Sequence, residues 1–168
     1  LNFKEIYDYS FKVASVVGLM TTPVFGYSDE QALNYAADLG IAMQLTNILR
    51  DVGEDVDRDR IYLAQDELIA FGLTDDDILC KKIDDRFIEF MKYQIQRARE
   101  YYERAEKGIT MLDRDARLPV YLACYNYAKI LNKIEENNYD VFSSRAHLTK
   151  FEKLSILPQI LYKINIAS

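Results

Sequence analysis

The sequence predicts an all-α protein. Only six Gly and three Pro occur among 168 residues, so few residues interrupt helices. Apolar side chains recur in steps of three and four over long stretches, which is the period of a buried helical face. No segment is convincing as a strand. A hydrophobic content of 49% is sufficient for an ordinary globular core.

The first predicted helix covers residues 2–20. It is expected to end before Pro23 and Gly26, because proline and glycine interrupt helices. The chain starts with Leu1 instead of Met, and this start is expected to fall inside the helix. We therefore expect a fragment of a longer protein.

A second helix is predicted over residues 28–52. Ser28 at its start and Gln31 three residues later match a capping box, in which each side chain accepts a hydrogen bond from the other's backbone. Residues 53–63 are rich in charge and are expected to be partly loop.

Two short helices follow in the prediction. The first covers residues 65–71 and is closed by Gly72, which suits the left-handed backbone after a helix. The second is capped by Thr74, with Asp77 at the third helical position.

The longest predicted helix begins at Asp84 or Asp85. Its apolar positions alternate in steps of three and four, which predicts a buried stripe. These positions are Phe87, Met91, Ile95, Ala98, Tyr102, Ala105, Ile109 and Leu112.

The next helix is predicted to start at Pro119, because proline is favoured in the first turn, and to end at residues 137–138. Its inward positions are Val120, Cys124, Tyr127, Leu131 and Ile134. A last helix is predicted over residues 150–164, with an interruption at Pro158.

Composition excludes several classes of function. The net charge is −6 and no long basic run occurs, so we expect no nucleic-acid partner. Cys80 and Cys124 stand alone, which is typical of a reducing compartment, and a single histidine, His147, cannot build a His-based metal site. The longest uncharged stretch, residues 13–28, contains Pro23 and is shorter than the roughly 20 apolar residues that a membrane span requires. No signal peptide is visible.

One helical face carries a row of residues that changes from apolar to polar, and its polar part, Gln44, Asn47, Asp51 and Asp55, is called the polar row. The members of the whole row are Leu33, Ala36, Gly40, Gln44, Asn47, Asp51 and Asp55, all spaced three or four apart. The first part of this row is small and apolar and should point inward. Polar groups on the same face are costly to bury unless they are satisfied, so the row indicates a bound ion or a polar ligand.

The acidic part of this row suits a divalent cation. Mg²⁺ is usually held by one or two carboxylates, by waters and by phosphate oxygens of a substrate. Asp51 and Asp55 lie one turn apart with Glu54 between them, and Arg50 can neutralise phosphate charge. The alternative interpretation is an acidic helix end exposed to solvent, and the spacing alone does not decide between the two.

Several sequence segments together resemble the squalene/phytoene synthase family. Asn-Ile-Leu-Arg-Asp-Val-Gly-Glu-Asp at 47–55 resembles its second aspartate-rich motif. The resemblance continues through residues 60–63, 65–68, 90–99, 105–108, 127–131 and 138–140, and through Tyr9 to Met20 upstream. It is highly specific and covers nearly the whole chain.

This resemblance implies an isoprenoid synthase type helical bundle around a deep apolar cavity. Residues 1–168 would be the C-terminal portion of one such domain, lacking its N-terminal helices. The implied enzyme is a Mg²⁺-dependent prenyltransferase, with Mn²⁺ as an alternative cation. It would join two geranylgeranyl diphosphates through a cyclopropyl diphosphate to give phytoene. The substrate would thus be an allylic isoprenoid diphosphate, and the pathway carotenoid biosynthesis.

The family's site residues carry over by position. Metal ligands would be Asn47, Asp51, Glu54 and Asp55, and substrate would be bound by Gln44, Arg50, Tyr127 and Arg145. Catalysis would rest on Tyr9, Asp51 and Asp55. For Tyr9 and Tyr127 the alternative is a packed core tyrosine. Ser15, Lys12 and Ala64 depart from the family pattern, which suggests an altered cavity wall.

The family's first aspartate-rich motif has no counterpart in these residues, so we expect the chain to be inactive by itself. Two alternatives stay open: a C15-specific dehydrosqualene or squalene synthase, and a non-catalytic relative that binds isoprenoids or assists assembly. Because the product is apolar, peripheral membrane association is expected, in a bacterial cytoplasm or a plastid. Oligomeric state is not predicted.

Overall fold

A computed structural model describes residues 1–166, which form ten α-helices and one π-helical turn. The helices are α1 (Phe3–Ser10), α2 (Val16–Phe25), α3 (Gln31–Arg50), α4 (Val52–Val56), α5 (Gln65–Ala70), α6 (Asp75–Leu79), α7 (Asp85–Ile109), α8 (Arg114–Glu136), α9 (Lys150–Leu154) and α10 (Leu157–Ile166). The π turn, Phe11–Ser15, joins α1 to α2. Within the described residues Tyr27 and Leu112 form one isolated β-bridge and no strand occurs, which confirms the all-α prediction.

The first helical run is longer than predicted at its C-terminal end. It begins after Asn2, whose side chain forms a capping box with Glu5, so the chain does not start inside a helix. Pro23 lies within α2, contrary to the prediction. Proline costs one backbone hydrogen bond, and α2 continues for only two residues beyond it. Gly26, with φ of 75°, ends the run.

The predicted capping box at Ser28 is wrong. The backbone N–H and the hydroxyl of Ser28 both donate to Met111 O, at 2.9 and 3.2 Å, so this residue is tied to the end of α7. Helix α3 starts three residues later, where Asp29 Oδ1 accepts from Gln31 N at 2.8 Å.

The C-terminal end of α3 also differs from the prediction. The helix stops at Arg50 instead of Val52, and Asp51 breaks it with φ of −98° and ψ of 6°. The polar row stays aligned across this break, because Asp51 N donates to Asn47 O and Asp55 N donates to Asp51 O, both at 2.9 Å.

The prediction for the middle of the chain is largely confirmed. Gly72, with φ of 70°, follows α5, and Thr74 forms the expected capping box with Asp77 at the start of α6. Asp84 caps α7, and every member of the predicted apolar stripe of α7 is buried.

Helix α8 starts at Arg114, so Pro119 lies inside it instead of at its start. One lost backbone hydrogen bond is tolerated in this helix of 23 residues. Its end at residues 137–138 is as predicted, and Asn138 adopts a positive φ of 52°. The last predicted helix is divided into α9 and α10, with Pro158 in the first turn of α10.

Helices α3 and α7 form the centre of the molecule. They pack along each other, and α3 also contacts the π turn, α2 and α8. The hydroxyls of Thr46 on α3 and Tyr102 on α7 lie 2.9 Å apart inside this contact. No helix in residues 1–166 is long and apolar enough to cross a membrane.

Candidate active site

An apolar cavity of about 460 Å³ lies between the π turn and α2 on one side and α3, α7 and α8 on the others. Small and apolar side chains form most of its wall. They include Val13, Ala14, Val17, Gly18, Phe25, Ala36, Leu39, Gly40, Met43, Ala105, Gly108, Ile109, Val120 and Tyr127. Val13, Val17 and Phe25 are exposed apolar residues of this wall.

Glycine allows the backbones around this cavity to approach closely. A Cβ at Gly40 would lie 2.5 Å from the Ser15 N and Cα atoms, so α3 touches the π turn there. The Ser15 hydroxyl donates to Ala37 O at 2.7 Å and is buried behind the wall. Ser15, Lys12 and Ala64 do not line the cavity, although the Ser15 backbone touches Gly40 of its wall, so an alteration of the wall by these residues stays a prediction.

The polar row ends the apolar cavity. Gln44 and Asn47 line it, and both also line a second, polar cleft of about 220 Å³. This cleft is bounded by Tyr9, Gln44, Asn47, Ile48, Asp51, Glu54, Asp55, Arg58 and Tyr62. An apolar tail and a charged head of one ligand would therefore meet at Gln44 and Asn47.

Asp51 is held by two arginines. Arg50 Nε and Nη2 donate to its two carboxylate oxygens at 2.7 and 2.8 Å, and Arg145 Nε and Nη2 donate to the same oxygens at 2.8 and 3.3 Å. Partial burial of Asp51 acts to raise its pKa, but the hydrogen bonds from Arg50 and Arg145 outweigh it and hold that pKa below the ordinary value.

Asp55 has the opposite electrostatic environment. Burial raises the pKa of its carboxyl, and repulsion by Asp51 raises it further, while Arg58 and Arg60 oppose both effects only in part. The pKa values of two carboxylates one turn apart are thus shifted in opposite directions, and perturbed pKa values of this kind cluster at functional sites.

Asn47 carries an unsatisfied oxygen. Its Nδ2 donates to Gln44 Oε1 at 3.3 Å, while its buried Oδ1 accepts no hydrogen bond. An orphaned amide oxygen beside carboxylates fits a hard cation, which prefers oxygen ligands. In residues 1–166 no three His, Cys, Asp or Glu side chains group closely enough to hold a metal ion by themselves. Mg²⁺ commonly uses only one or two protein carboxylates and completes its shell with water and phosphate.

Tyr9 faces the cleft from the last turn of α1. Its ring stacks on that of Tyr62, with centroids 6.2 Å apart and planes inclined by 14°. Tyr9 is 43% exposed, so the core alternative is wrong for this residue. The π turn starts at Phe11, and such turns often occur at functional sites.

The structure brings most of the proposed site residues together. Tyr9, Gln44, Asn47, Asp51, Glu54 and Asp55 line the cleft. Arg50 and Arg145 bind Asp51, whereas Tyr127 is partly buried on the wall of the apolar cavity. Which of them bind substrate or metal stays a prediction.

Sequence reasoning missed three residues of the cleft, Ile48, Arg58 and Tyr62. Tyr62 lies in residues 60–63, a segment that carries the family resemblance, and that resemblance was the available signal. Arg58 belongs to a charged run that looked like a solvent-exposed turn.

Curated relatives are similar over nearly all of this chain. It is 49% identical over 163 residues to a chloroplastic phytoene synthase of Narcissus pseudonarcissus, 50% identical over 163 residues to chloroplastic phytoene synthase 2 of Solanum lycopersicum, and 44% identical over 176 residues to the 15-cis-phytoene synthase of Synechococcus elongatus. These matches cover 94, 94 and 98% of this chain. The chain spans 38, 53 and 57% of the three relatives.

Solved structures agree in fold. A dehydrosqualene synthase in complex with ligand matches with a TM-score of 0.91 at 28% identity, over 98% of this chain and 58% of that one. YisP from Bacillus subtilis matches with a TM-score of 0.83 at 25% identity, over 94 and 63% of the two chains. The sequence profile described as squalene/phytoene synthase matches residues 1–152. With nine-tenths of its length inside that profile and its helices superimposing on an isoprenoid synthase, this chain belongs to the squalene/phytoene synthase family.

Proposed function

We propose that this chain is part of a prenyltransferase that joins two geranylgeranyl diphosphates head to head, through a cyclopropyl diphosphate, to give phytoene. One observation carries the proposal: the apolar cavity ends at Gln44 and Asn47, where the polar cleft begins. This arrangement matches an isoprenoid diphosphate, whose tail is apolar and whose head is charged. The names of the relatives support phytoene as the product.

The residues of the cleft suit the head group. Asn47 Oδ1 and the carboxylates of Asp51, Glu54 and Asp55 would hold Mg²⁺, or Mn²⁺ in its place. When bound, such a cation supplies charge that stabilises a departing diphosphate. Arg50 and Arg145 lie beside these carboxylates and can bind phosphate oxygens in pairs.

The cavity and the tyrosines suit the carbon chemistry. Ionisation of one diphosphate leaves an allylic cation, which the double bond of the second substrate attacks, and proton loss closes the cyclopropane ring. The stacked rings of Tyr9 and Tyr62 can stabilise a nearby cation by about 0.5–2 kcal/mol each. Apolar walls exclude water that would otherwise capture the cation.

Two alternatives are weaker. A C15-specific dehydrosqualene or squalene synthase would use the same site, and the likeness to a dehydrosqualene synthase structure favours this alternative. A non-catalytic relative would have no need for an acidic cleft, yet Asp51, Glu54 and Asp55 are all present and line it.

The direct test is incubation of the full-length parent with geranylgeranyl diphosphate and Mg²⁺, followed by extraction and chromatographic identification of the hydrocarbon. We expect phytoene from the parent and none from its Asp51→Ala variant. Asp57→Ala is a matched control, because Asp57 pairs with Lys81 and does not line the cleft. The 168 residues alone should give no product. Product only from farnesyl diphosphate would select the C15 alternative, and no product from either substrate would favour the binding protein.

We also propose that the parent associates peripherally with membranes through α9 and α10. Phe151, Leu154 and Tyr162 there are 80, 61 and 69% exposed. Lys150 and Lys153 lie beside them without an ion pair to any described residue. The basic side chains of α9 and α10 are Lys150, Lys153 and Lys163, against one acidic side chain, Glu152. Lys163 pairs with Glu106, so Lys150 and Lys153 are the cations that this surface offers to anionic lipid.

Vesicle sedimentation tests this surface. The chain should bind vesicles that contain phosphatidylglycerol more than neutral ones, and Phe151→Ser with Leu154→Ser should reduce binding about tenfold or more. Ile69→Ser, at a residue 73% exposed elsewhere, is the control. Loss of self-association instead of vesicle binding in the double variant would identify a second copy as the occupant.

A further inference from the structure

The segment after α8 is built to deliver Arg145 to the cleft. Asn138 and Tyr139 turn the chain with φ of 52 and 61°. Asp140 Oδ1 then accepts from the backbone N–H groups of Phe142 and Ser143, at 3.1 and 2.8 Å, which fixes the turn that follows.

Gly53 seats this segment on α4. A Cβ at position 53 would overlap Val141 O and would lie 2.9 Å from Phe142 Cα, so only glycine permits this approach. Val141 is buried, and the Phe142 ring packs on that of Phe87 with centroids 5.2 Å apart. Gly53, between Asp51 and Glu54, therefore helps to set the position of the Arg145 side chain, which lies 92 residues further along the chain.

Arg145 meets both acidic groups at the end of this path. Its Nε lies 2.8 Å from Asp51 Oδ1 and 3.4 Å from Glu54 Oε1. Arg50 binds the same Asp51 oxygens, so each oxygen accepts two hydrogen bonds. The side chain of Arg145 is 45% exposed and that of Arg50 is 12% exposed, so Arg145 is the partner that can leave.

We propose that Arg145 is a displaceable counter-ion, which lets Asp51 and Glu54 accept a divalent cation only together with diphosphate. A cation alone would have to compete with a hydrogen-bonded guanidinium. Diphosphate offers that guanidinium new acceptors and so releases the carboxylates. Arg145 thus couples the binding of the two ligands, as a positioning residue. This inference rests on the cation site in the proposed function.

Equilibrium dialysis of the 168-residue chain tests the coupling, with Mn²⁺ alone, inorganic pyrophosphate alone and both together. Wild type should retain the two ligands together at least about fivefold better than their separate affinities predict. Arg145→Gln should bind Mn²⁺ alone at least about fivefold more tightly and should lose the coupling. Arg114→Gln is the matched control, since Arg114 is exposed at the start of α8 and forms no ion pair with the described residues.

Two further variants keep the result interpretable. Gly53→Ala should displace the segment and strengthen Mn²⁺ binding in the same direction as Arg145→Gln, although the arginine is retained. Asp51→Asn should weaken Mn²⁺ binding. Equal Mn²⁺ affinity in wild type and Arg145→Gln, with circular dichroism showing both folded, would overturn the proposal while phytoene formation by the parent stood. Undiminished binding by Asp51→Asn would overturn the cation site itself.

Discussion

The apolar cavity and the polar cleft share Gln44 and Asn47 but are shaped by opposite means. The cavity owes its form to absent side chains, because glycine lets α3 touch the π turn at Gly40. The cleft owes its form to an excess of charge, with two arginines on one carboxylate. Backbone contacts cannot exchange partners, whereas ion pairs can. We therefore expect the packing around the cavity to keep its partners, whereas the ion pairs of the cleft can be exchanged for those of a ligand.

The largest effect is expected on turnover, from replacing the carboxylate of Asp55 in the cleft by an amide. Asp55→Asn should lower turnover by the full-length parent about 100-fold or more, the cost of removing one preorganised electrostatic group from a reacting centre. Stability should stay the same or rise, because the raised pKa of Asp55 shows that the folded protein disfavours its charge.

Turnover and thermal unfolding of Asp55→Asn should be measured beside Asp57→Asn, whose side chain lies outside the cleft. A parallel loss of activity and stability would mean that Asp55 supports the fold, and would break the distinction between the two regions.

The cavity wall should respond in the opposite manner. Gly40→Ala would place a methyl group 2.5 Å from Ser15 backbone atoms and force α3 away from the π turn. We expect a loss of about 1–3 kcal/mol in the free energy of unfolding, measured with urea. Asn34→Ala, on the exposed side of the same helix, should be neutral or slightly stabilising. Equal effects of the two substitutions would show that the wall is not closely packed.

A substitution at Asn47, where the cavity meets the cleft, should change the free energy of unfolding very little. Asn47→Leu removes an oxygen that accepts no hydrogen bond and extends the apolar surface towards the cleft. We expect a change within about 1 kcal/mol in the free energy of unfolding, because no satisfied acceptor is lost. Parent turnover should nevertheless fall. A large destabilisation would mean that the 3.3 Å contact with Gln44 holds the junction.

The smallest effect on stability should come from α9, which lines neither the cavity nor the cleft. Hydrogen bonds from Lys133 and from the Thr149 backbone lower the pKa of Glu152 at the start of α9 from 4.5 to about 2. A depressed pKa adds stability above the unfolded value, and this stability is lost as the pH falls from about 4.5 to about 2. Urea unfolding across that range should show a shallower decline for Glu152→Gln than for wild type. Glu103→Gln, at an exposed residue of α7, should keep the wild-type slope.

Much of the fold followed from periodicity and caps. The stripe of α7 was readable because each of its eight positions is buried, and Thr74 and Asp84 cap helices as their types predict. The helix boundaries predicted at Pro23 and Pro119 were wrong. Proline removes only one backbone hydrogen bond, so α2 and α8 continue through these residues where they pack on neighbouring helices. The π turn was not predicted, and it lies where Ser15 touches α3, a contact between distant parts of the chain.

The site residues also divide into those that local sequence patterns predict and those that only tertiary packing brings in. Gln44, Asn47, Asp51 and Asp55 were recognisable because helical spacing places them on one face. The pairing of Arg145 with Asp51 was not, because it joins residues 94 apart through a loop seated on a glycine. Local patterns reveal which groups share a helix, and only tertiary packing decides which distant charge they meet.

The close approach at Gly53 also limits how this chain can be shortened. Removing everything after α8 would delete the buried Val141 and Ala146 as well as Arg145, and would leave the face of α4 around Gly53 bare. A truncated chain meant to keep the acidic cleft should therefore retain residues through at least 146. The shortest chain that keeps the cleft is therefore limited by the packing of residues 141–146 against Gly53.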